Sequence, residues 1–294
     1  MTTLLAVMLS LVLTACASGT ASSVQASALP PAAMLHQDGE AEERIQYQVE
    51  LSTWEDASQT EDGVPLARYR YLLPELIPLR GDGTEITQAV TAEEDRALEV
   101  AAAFNGRFEA WAAAEDFQDL TQEAREDLEW HRKEELPWTV GYVLEMDCAV
   151  YQTERMVSVS GLCYSYIEGA AHPNTWLLSW NFDLETGAFF EPHALEENQE
   201  LQNAVTEEII RRAGEPDGDG LIPAEYYWED YREIAANWST AAVSFDETGM
   251  TVDFSPYELA PYGFGTQSFH FSCEWMAPYL CGYGRELLGV ETSE

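Results

Sequence analysis

The sequence predicts an α+β fold with mainly antiparallel sheets and packed helices, arranged as two small domains. Stretches that alternate apolar and polar residues are separated by stretches whose apolar residues recur at helical spacing. Several alternating stretches are joined by short turns, which favours antiparallel pairing. The 294 residues are 46% hydrophobic and 12% aromatic, which is enough apolar material for such a core.

The first domain is predicted to begin with two strands, over 44–53 and 68–79. The second of them contains Pro74 and Pro78. Proline has no N–H to donate to a neighbouring strand, so this is predicted to be an edge strand or a bulged one. Residues 91–94 (Thr-Ala-Glu-Glu) form a capping-box pattern that begins a helix. The apolar face of this helix consists of Val100, Phe104, Phe108 and Trp111.

A second, shorter helix is predicted around Leu120, Ala124 and Leu128 and ends by Pro137. From residue 138 the apolar pattern changes to the period of strands. The strands predicted there are 139–151 and 156–167, joined as a hairpin by 152–155, and a third strand, 174–184.

The last third of the chain alternates helices and strands. A helix is predicted after Asn198 as its N-cap and ends before Gly214. The remaining predicted elements are a helix over 225–238, a hairpin of 240–245 with 250–254, a strand over 267–273 and a short helix over 274–280.

The N-terminus predicts export. Residues 4–13 form an uncharged stretch of ten residues, nine of them apolar, which is too short to span a bilayer but typical of a signal peptide. The following Leu13-Thr14-Ala15-Cys16 resembles a bacterial lipobox, in which Cys16 is lipidated. The three residues before the apolar stretch carry no Lys or Arg, unlike most export signals. The alternative is an ordinary cleaved signal peptide with a coincidental cysteine.

These patterns divide the chain into three segments and predict a lipid-anchored protein on the extracellular face of the bacterial cytoplasmic membrane. The segment after the lipobox is rich in Ala, Ser and Pro, which is typical of a flexible tether. The segments are a signal peptide (1–15), a tether (16–43) and the folded remainder (44–294).

Four cysteines remain after Cys16, and disulfides are possible outside the cytoplasm. The pairs Cys148–Cys163 and Cys273–Cys281 are favoured because both would close short loops. Four buried thiols are the alternative. The sequence has no CxxC motif and no Cys/His cluster with zinc spacing, so no metal site is predicted.

The charge excludes one large class of partner. Fourteen Lys and Arg residues stand against 53 Asp and Glu residues, which gives a net charge of −39. Such a chain repels phosphate backbones, so nucleic acid is not an expected partner. It would attract a cationic partner over long distances, although the solubility of an exported protein is also a sufficient reason for the charge.

Two segments resemble a known family. They are 169–174 (Gly-Ala-Ala-His-Pro-Asn) with 180–187, and 254–262 with Gly265. Together they are similar to the C-terminal extracellular domain of RsiV-type anti-sigma factors, and 44–135 is similar to the smaller domain that usually precedes it. The resemblance therefore implies an N-terminal α+β domain (44–135) and a C-terminal α+β domain (136–294). The first motif departs from the family's usual Gly-Gly-Ala-His. In RsiV this domain binds lysozyme, so the resemblance implies a solitary lipoprotein that captures lysozyme or another cationic envelope protein.

The predicted ligand-binding residues lie in these two motifs: Gly169, His172, Asn174, Tyr257, Pro261 and Tyr262. Rigid loops that present aromatic rings suit recognition of a protein or a sugar face. Structural roles are the alternative. The ring of His172 would then bond the loop backbone, and the tyrosines would clamp their loop onto the sheet with backbone-satisfied hydroxyls.

The sequence shows no signature of an enzyme. The patterns GxSxG, HExxH, GxGxxG and the P-loop are absent. We therefore expect a binding module without a cofactor. The alternatives are a domain that binds or modifies peptidoglycan and a passive envelope scaffold.

Overall fold

The computed structural model describes residues 44–114, 117–215 and 222–290. The predicted signal peptide, the tether and Cys16 lie outside the described residues. The fold is α+β, as predicted, with two sheets. Within the described ranges, no helix combines the length and the apolar character that crossing a bilayer requires.

The larger sheet has six strands in the order of the chain. All neighbours pair antiparallel except β2 and β3, which run parallel. The strands are β1 (Gln46–Gln59), β2 (Pro65–Leu79), β3 (Tyr142–Gln152), β4 (Met156–Tyr166), β5 (Asn174–Asp183) and β6 (Ala188–Phe189).

The parallel pair joins the two halves of the chain. Residues Ala67 to Tyr71 of β2 lie beside Tyr142 to Met146 of β3. The two sheets are consistent with two small domains, but the larger sheet contains strands from both sides of the predicted 135/136 boundary.

The sequence predicts β2 to be an edge strand or a bulged one, and the edge alternative is wrong for its first half, which has β1 on one side and β3 on the other. Beyond Tyr71, β2 has no second strand beside it among the described residues. There the side chain of Asn105 takes the strand's place: it accepts from the Leu76 N–H at 2.7 Å and donates to the Leu76 carbonyl at 3.1 Å. Pro74 and Pro78 lie in this half, where a missing N–H breaks no ladder.

Two helices, α1 (Ala92–Ala114) and α2 (Phe117–Lys133), pack beside the larger sheet. The predicted face of α1 is buried, with Phe104 0% and Phe108 1% exposed. Thr91 caps the helix by accepting from the Glu94 N–H, as predicted. The Glu94 carboxylate bonds the Val90 N–H and Arg80.

The smaller sheet has the order β7 (Ala242–Phe245), β8 (Gly249–Phe254) and β9 (Gln267–Ser272). It packs with α3 (Glu200–Ala213), α4 (Tyr231–Ala236), α5 (Cys273–Met276) and α6 (Gly282–Leu288) around an apolar core. Hydrogen bonds fix β7 to the larger sheet: Ser158 Oγ accepts from Phe245 N, and Asn181 donates to the Val243 carbonyl. The smaller sheet therefore covers this part of β4 and β5.

Two sequence predictions about helices fail. Residue 198 is not the N-cap of α3; Gln199 holds that position in a left-handed conformation without a side-chain cap bond. The helix predicted over 225–238 is only α4, with short 3-10 turns before and after it. It begins late because the Trp228 backbone N–H donates to the carbonyl of Leu259, which draws this residue out of a helical path.

Candidate functional site

Three of the predicted ligand-binding residues form one group of rings, which we call the aromatic cluster: His172, Tyr257 and Tyr262. The His172 ring stacks on the Tyr262 ring, with centroids 4.1 Å apart and an interplanar angle of 17°. The Tyr257 hydroxyl lies 3.2 Å from His172 Nε2. The two tyrosine rings are 5.4 Å apart. His172 and the two tyrosines, which follow it by 85 and 90 positions in the sequence, thus form one surface feature.

The loop between β4 and β5 positions His172. Its Nδ1 lies 2.8 Å from the carbonyl of Pro173. The neutral tautomer that donates from Nδ1 leaves Nε2 to accept from the Tyr257 hydroxyl, so one tautomer satisfies both contacts. The bond to the loop backbone matches the structural alternative for this residue, while the Nε2 contact ties it to the second motif.

The loop after β8 positions the two tyrosines, and it is anchored at several points. Ser255 Oγ accepts from the Leu177 N–H of β5, and Trp228 Nε1 donates to the Tyr257 carbonyl, each at 3.0 Å. Tyr257 has φ +76, a left-handed conformation that is costly for a residue with a Cβ. The surroundings therefore hold its side chain in place although half of it is exposed.

The tyrosine-clamp alternative fails for Tyr257. Its ring is 50% exposed and its hydroxyl bonds an imidazole, not the backbone. Tyr262 is half-buried, and its hydroxyl lies 3.5 Å from Thr175 Oγ1 on β5. One tyrosine is thus presented to solvent while the other joins the cluster to the larger sheet.

Beside the cluster lies a part of the larger sheet that the smaller sheet does not cover. We call it the open face. The strand register places these side chains on it: Glu145 and Asp147 of β3, Leu162 and Tyr164 of β4, and Thr175 and Leu177 of β5. Leu162 is 47% exposed. The cluster forms a wall at the border of this face.

The open face carries both charges and hydroxyls. Arg68 pairs with Glu145 at 3.1 Å, and Arg70 pairs with Asp147 at 3.0 Å. Burial and the Glu145 carboxylate raise the pKa of Tyr164. The Tyr164 hydroxyl therefore stays protonated at neutral pH and can donate a hydrogen bond. The arrangement suits binding through ring faces, hydroxyls and carboxylates.

The structure does not bring the other predicted residues into the cluster. Gly169 has φ +85 and lies on the opposite side of its loop, where an added Cβ would be 3.4 Å from His131 Nε2. Asn174 is exposed at the start of β5, opposite Ser165. Pro261 directly precedes Tyr262 at the start of a 3-10 turn. No group of three or more potential metal ligands occurs in the described part of the chain.

Sequence reasoning missed neighbouring aromatic residues that extend this surface. Tyr226 and Phe264 pair with centroids 4.8 Å apart, and they are 47% and 37% exposed. Trp228 is 37% exposed next to Tyr257. The run Tyr226-Tyr227-Trp228 is the signal for this surface, but its pattern predicts a helix.

The predicted disulfides are not formed in the structure. The register sets Cys148 opposite Gly161, and Cys163 opposite Met146, so these two cysteines are diagonal neighbours. Diagonal positions lie about 7–8 Å apart, beyond the roughly 6.8 Å that a disulfide spans between Cα atoms. Cys281 instead caps α6, where its Sγ accepts from the Gly284 N–H. Burial raises the pKa of the Cys148 thiol to about 12.

Comparisons with known proteins show the fold. No protein-family model and no curated protein sequence matches this chain. The crystal structure of a DUF3298 family member from Bacteroides fragilis is similar, with a TM-score of 0.57 and 12% identity over 84% of this chain and 98% of that one. A DUF3298 family protein from Pseudomonas aeruginosa has a TM-score of 0.42 and 15% identity over 80% of this chain and 94% of that one. At these identities the likeness is one of fold, and this chain has the fold of the Bacteroides DUF3298 protein.

Proposed function

We propose that this protein is a binding module, held by a lipid at Cys16 on the outer face of the bacterial cytoplasmic membrane, that captures a cationic protein such as lysozyme. The observation that carries the proposal is the aromatic cluster: three rings held in fixed geometry beside an open sheet face with carboxylates. Buried aromatic anchors within a polar rim are typical of protein-binding surfaces.

The residues of the cluster support the ligand class. They come from the two motifs that resemble the RsiV-type extracellular domain, which binds lysozyme, and the shared fold with a DUF3298 protein is consistent with that resemblance. The net charge of −39 supports a basic partner, because opposite charges speed encounter and that effect falls as salt screens it. Capture is proposed because the site offers ring faces, hydroxyls and carboxylates, which are the groups of a protein-binding surface.

The test is a titration of the full-length protein with lysozyme by calorimetry at low and high salt. We expect micromolar or tighter binding at low salt that weakens with added salt. The double variant Tyr257→Ala/Tyr262→Ala should lose about tenfold or more in affinity. The control is Trp130→Ala, which removes another ring that is 53% exposed and distant in sequence. No binding at micromolar concentration and low salt would refute the proposal.

A further inference from the structure

A second depression lies away from the aromatic cluster, where α3 meets the segment after α4. We call it the amide groove. Its cavity volume is about 630 Å³, within the range of small-ligand sites. The amide and imidazole side chains that line it are His193, Asn198, Gln199, Gln202, Asn203 and Asn237.

The chemistry of the amide groove is mainly that of carboxamides, which both donate and accept hydrogen bonds. A carboxamide has two N–H donors and one carbonyl acceptor, which matches hydroxyl groups that both donate and accept. Gln202 and Asn237 each already donate one N–H, to the carbonyls of Ala236 and Glu233. The one carboxylate in the lining, Glu196, already accepts from the Gln202 N–H at 3.0 Å. No Lys or Arg lines the groove, so it does not suit a phosphate chain. Rows of amides of this kind suit the hydroxyl and acetamido groups of a sugar.

A smaller cavity of about 100 Å³ adjoins the groove, and we call it the arginine pocket. Ser239 lines both cavities, and the consecutive residues Pro192 and His193 line one each. The pocket contains Arg107, whose guanidinium lies 5.4 Å above the Phe189 ring. The ring contact favours one position of the guanidinium.

The arginine pocket supplies what the groove lacks, a cation. A guanidinium beside a cavity presents several N–H donors that match the geometry of a carboxylate. Ser179 and Ser239 add hydroxyls to the lining, while Glu191 places one carboxylate there that would oppose an anion.

We propose that the amide groove and the arginine pocket together bind an acidic saccharide: a sugar chain whose hydroxyl and acetamido groups contact the carboxamides and whose carboxylate contacts Arg107. The site is separate from the aromatic cluster, so it stands or falls independently of the capture of a cationic protein. The carboxylate could come from a uronic acid or from a muramic acid with its peptide, and the test distinguishes these sources.

The experiment titrates the full-length protein with three probes by chemical-shift perturbation or calorimetry. The probes are a neutral N-acetylglucosamine trimer, a trigalacturonate and a muramic-acid disaccharide peptide. We expect one or both acidic probes to bind at least about tenfold more tightly than the neutral trimer, since a hydrogen bond between charged groups has roughly that effect. The acidic probe that binds more tightly identifies the source of the carboxylate.

Variants separate the two parts of the site. Arg107→Gln should remove the preference for acidic probes, whereas Asn203→Ala should lower the affinity for all three probes by a similar factor. Glu191→Gln should strengthen binding of the acidic probes, because it removes a repelling charge. The control is Arg125→Gln, an exposed arginine on α2 that lines neither cavity. Unchanged urea midpoints would show that the variants fold. The proposal is overturned if no probe binds up to about 10 mM, or if Arg107→Gln and Arg125→Gln bind the acidic probes equally.

Discussion

The side chain of Asn105 makes the two backbone hydrogen bonds that a neighbouring strand would make with Leu76. It satisfies both the N–H and the carbonyl of Leu76, a residue that is 1% exposed. Asn105→Ala would leave both backbone groups without a partner in a buried setting, so we expect a loss of about 2–3 kcal/mol in the free energy of unfolding, measured with urea. Gln122→Ala, which removes only an exposed bond to Glu126, should change it by less than about 0.5 kcal/mol.

Glu168 is one of the residues that should make the stability of the fold depend on pH in acid. Although its burial opposes the charge, bonds from the N–H groups of Val140, Thr139 and Gly141 lower the pKa of this carboxyl below its ordinary value of 4.5. A folded-state pKa below the unfolded one means that the contribution is fully present above the unfolded value. It is lost as the pH falls through the folded value.

We therefore expect Glu168→Gln to lower the urea midpoint at neutral pH and to flatten its fall as the pH drops below about 5. Glu126→Gln, on the exposed side of α2, is the matched control. Parallel pH profiles for the wild type and Glu168→Gln would contradict this account of the carboxylate.

The sequence identified the members of the aromatic cluster but not their arrangement. Motifs predicted His172, Tyr257 and Tyr262 one by one, yet a stack between loops 85 or more positions apart depends on how β5 and β8 are placed. Gly169 shows the converse. It shares the motif of His172, but its positive φ turns the chain so that it faces His131 instead.

At the scale of elements, sequence patterns succeed where burial and periodicity agree. The hairpin of β3 and β4 and the helix α1 follow their predicted positions within a few residues. The helix predicted over 225–238 failed because its aromatic residues serve tertiary contacts: Trp228 bonds the loop after β8 through both its backbone and its indole. Local propensity gives way when a side chain and its N–H have better partners elsewhere.

The start of β3 depends on a glycine. Gly141 has φ +70, and a Cβ there would lie 2.2 Å from the Leu66 carbonyl oxygen of β2. We expect Gly141→Ala to be destabilised for two reasons: a residue with a Cβ disfavours a positive φ, and the added Cβ would clash with this carbonyl oxygen. Gly63, with φ +80 and no atom within 4 Å of a Cβ, is the control for conformation alone.

Gly63→Ala should therefore cost only about 1–2 kcal/mol, the usual penalty of a left-handed residue. Gly141→Ala should cost clearly more by urea unfolding. Equal losses would mean that β2 and β3 can separate enough to admit a methyl group.

At the scale of the whole molecule, the net charge of −39 should make stability depend on salt. Like charges repel one another more in the compact state than in the unfolded chain. Raising the salt from about 0.01 M to 0.15 M shortens the screening length from about 30 Å to 8 Å, so we expect the melting temperature to rise. The melting temperature is measured by calorimetry. If it stays unchanged or falls, salt weakens the attraction within the exposed ion pairs at least as much as it weakens the repulsion between like charges.

Composition and turns predicted the α+β class, but the parallel pairing of β2 with β3 had no local signal. More than sixty residues, including two helices, separate these strands, and their pairing depends on tertiary packing alone. The predicted division at 135/136 rests on the resemblance of the chain to two family domains. Such a resemblance carries no information about which strands are neighbours in a sheet.

That pairing has a practical consequence for any shortened version of the protein. A fragment that starts at residue 136 would retain β3 but lose its neighbour, and five residues of backbone, Tyr142 to Met146, would be left with bare donors and acceptors along one side. Orphaned edges of this kind recruit other chains. Such a truncation should precipitate when expressed alone and regain solubility when residues 44–135 are supplied in the same cell.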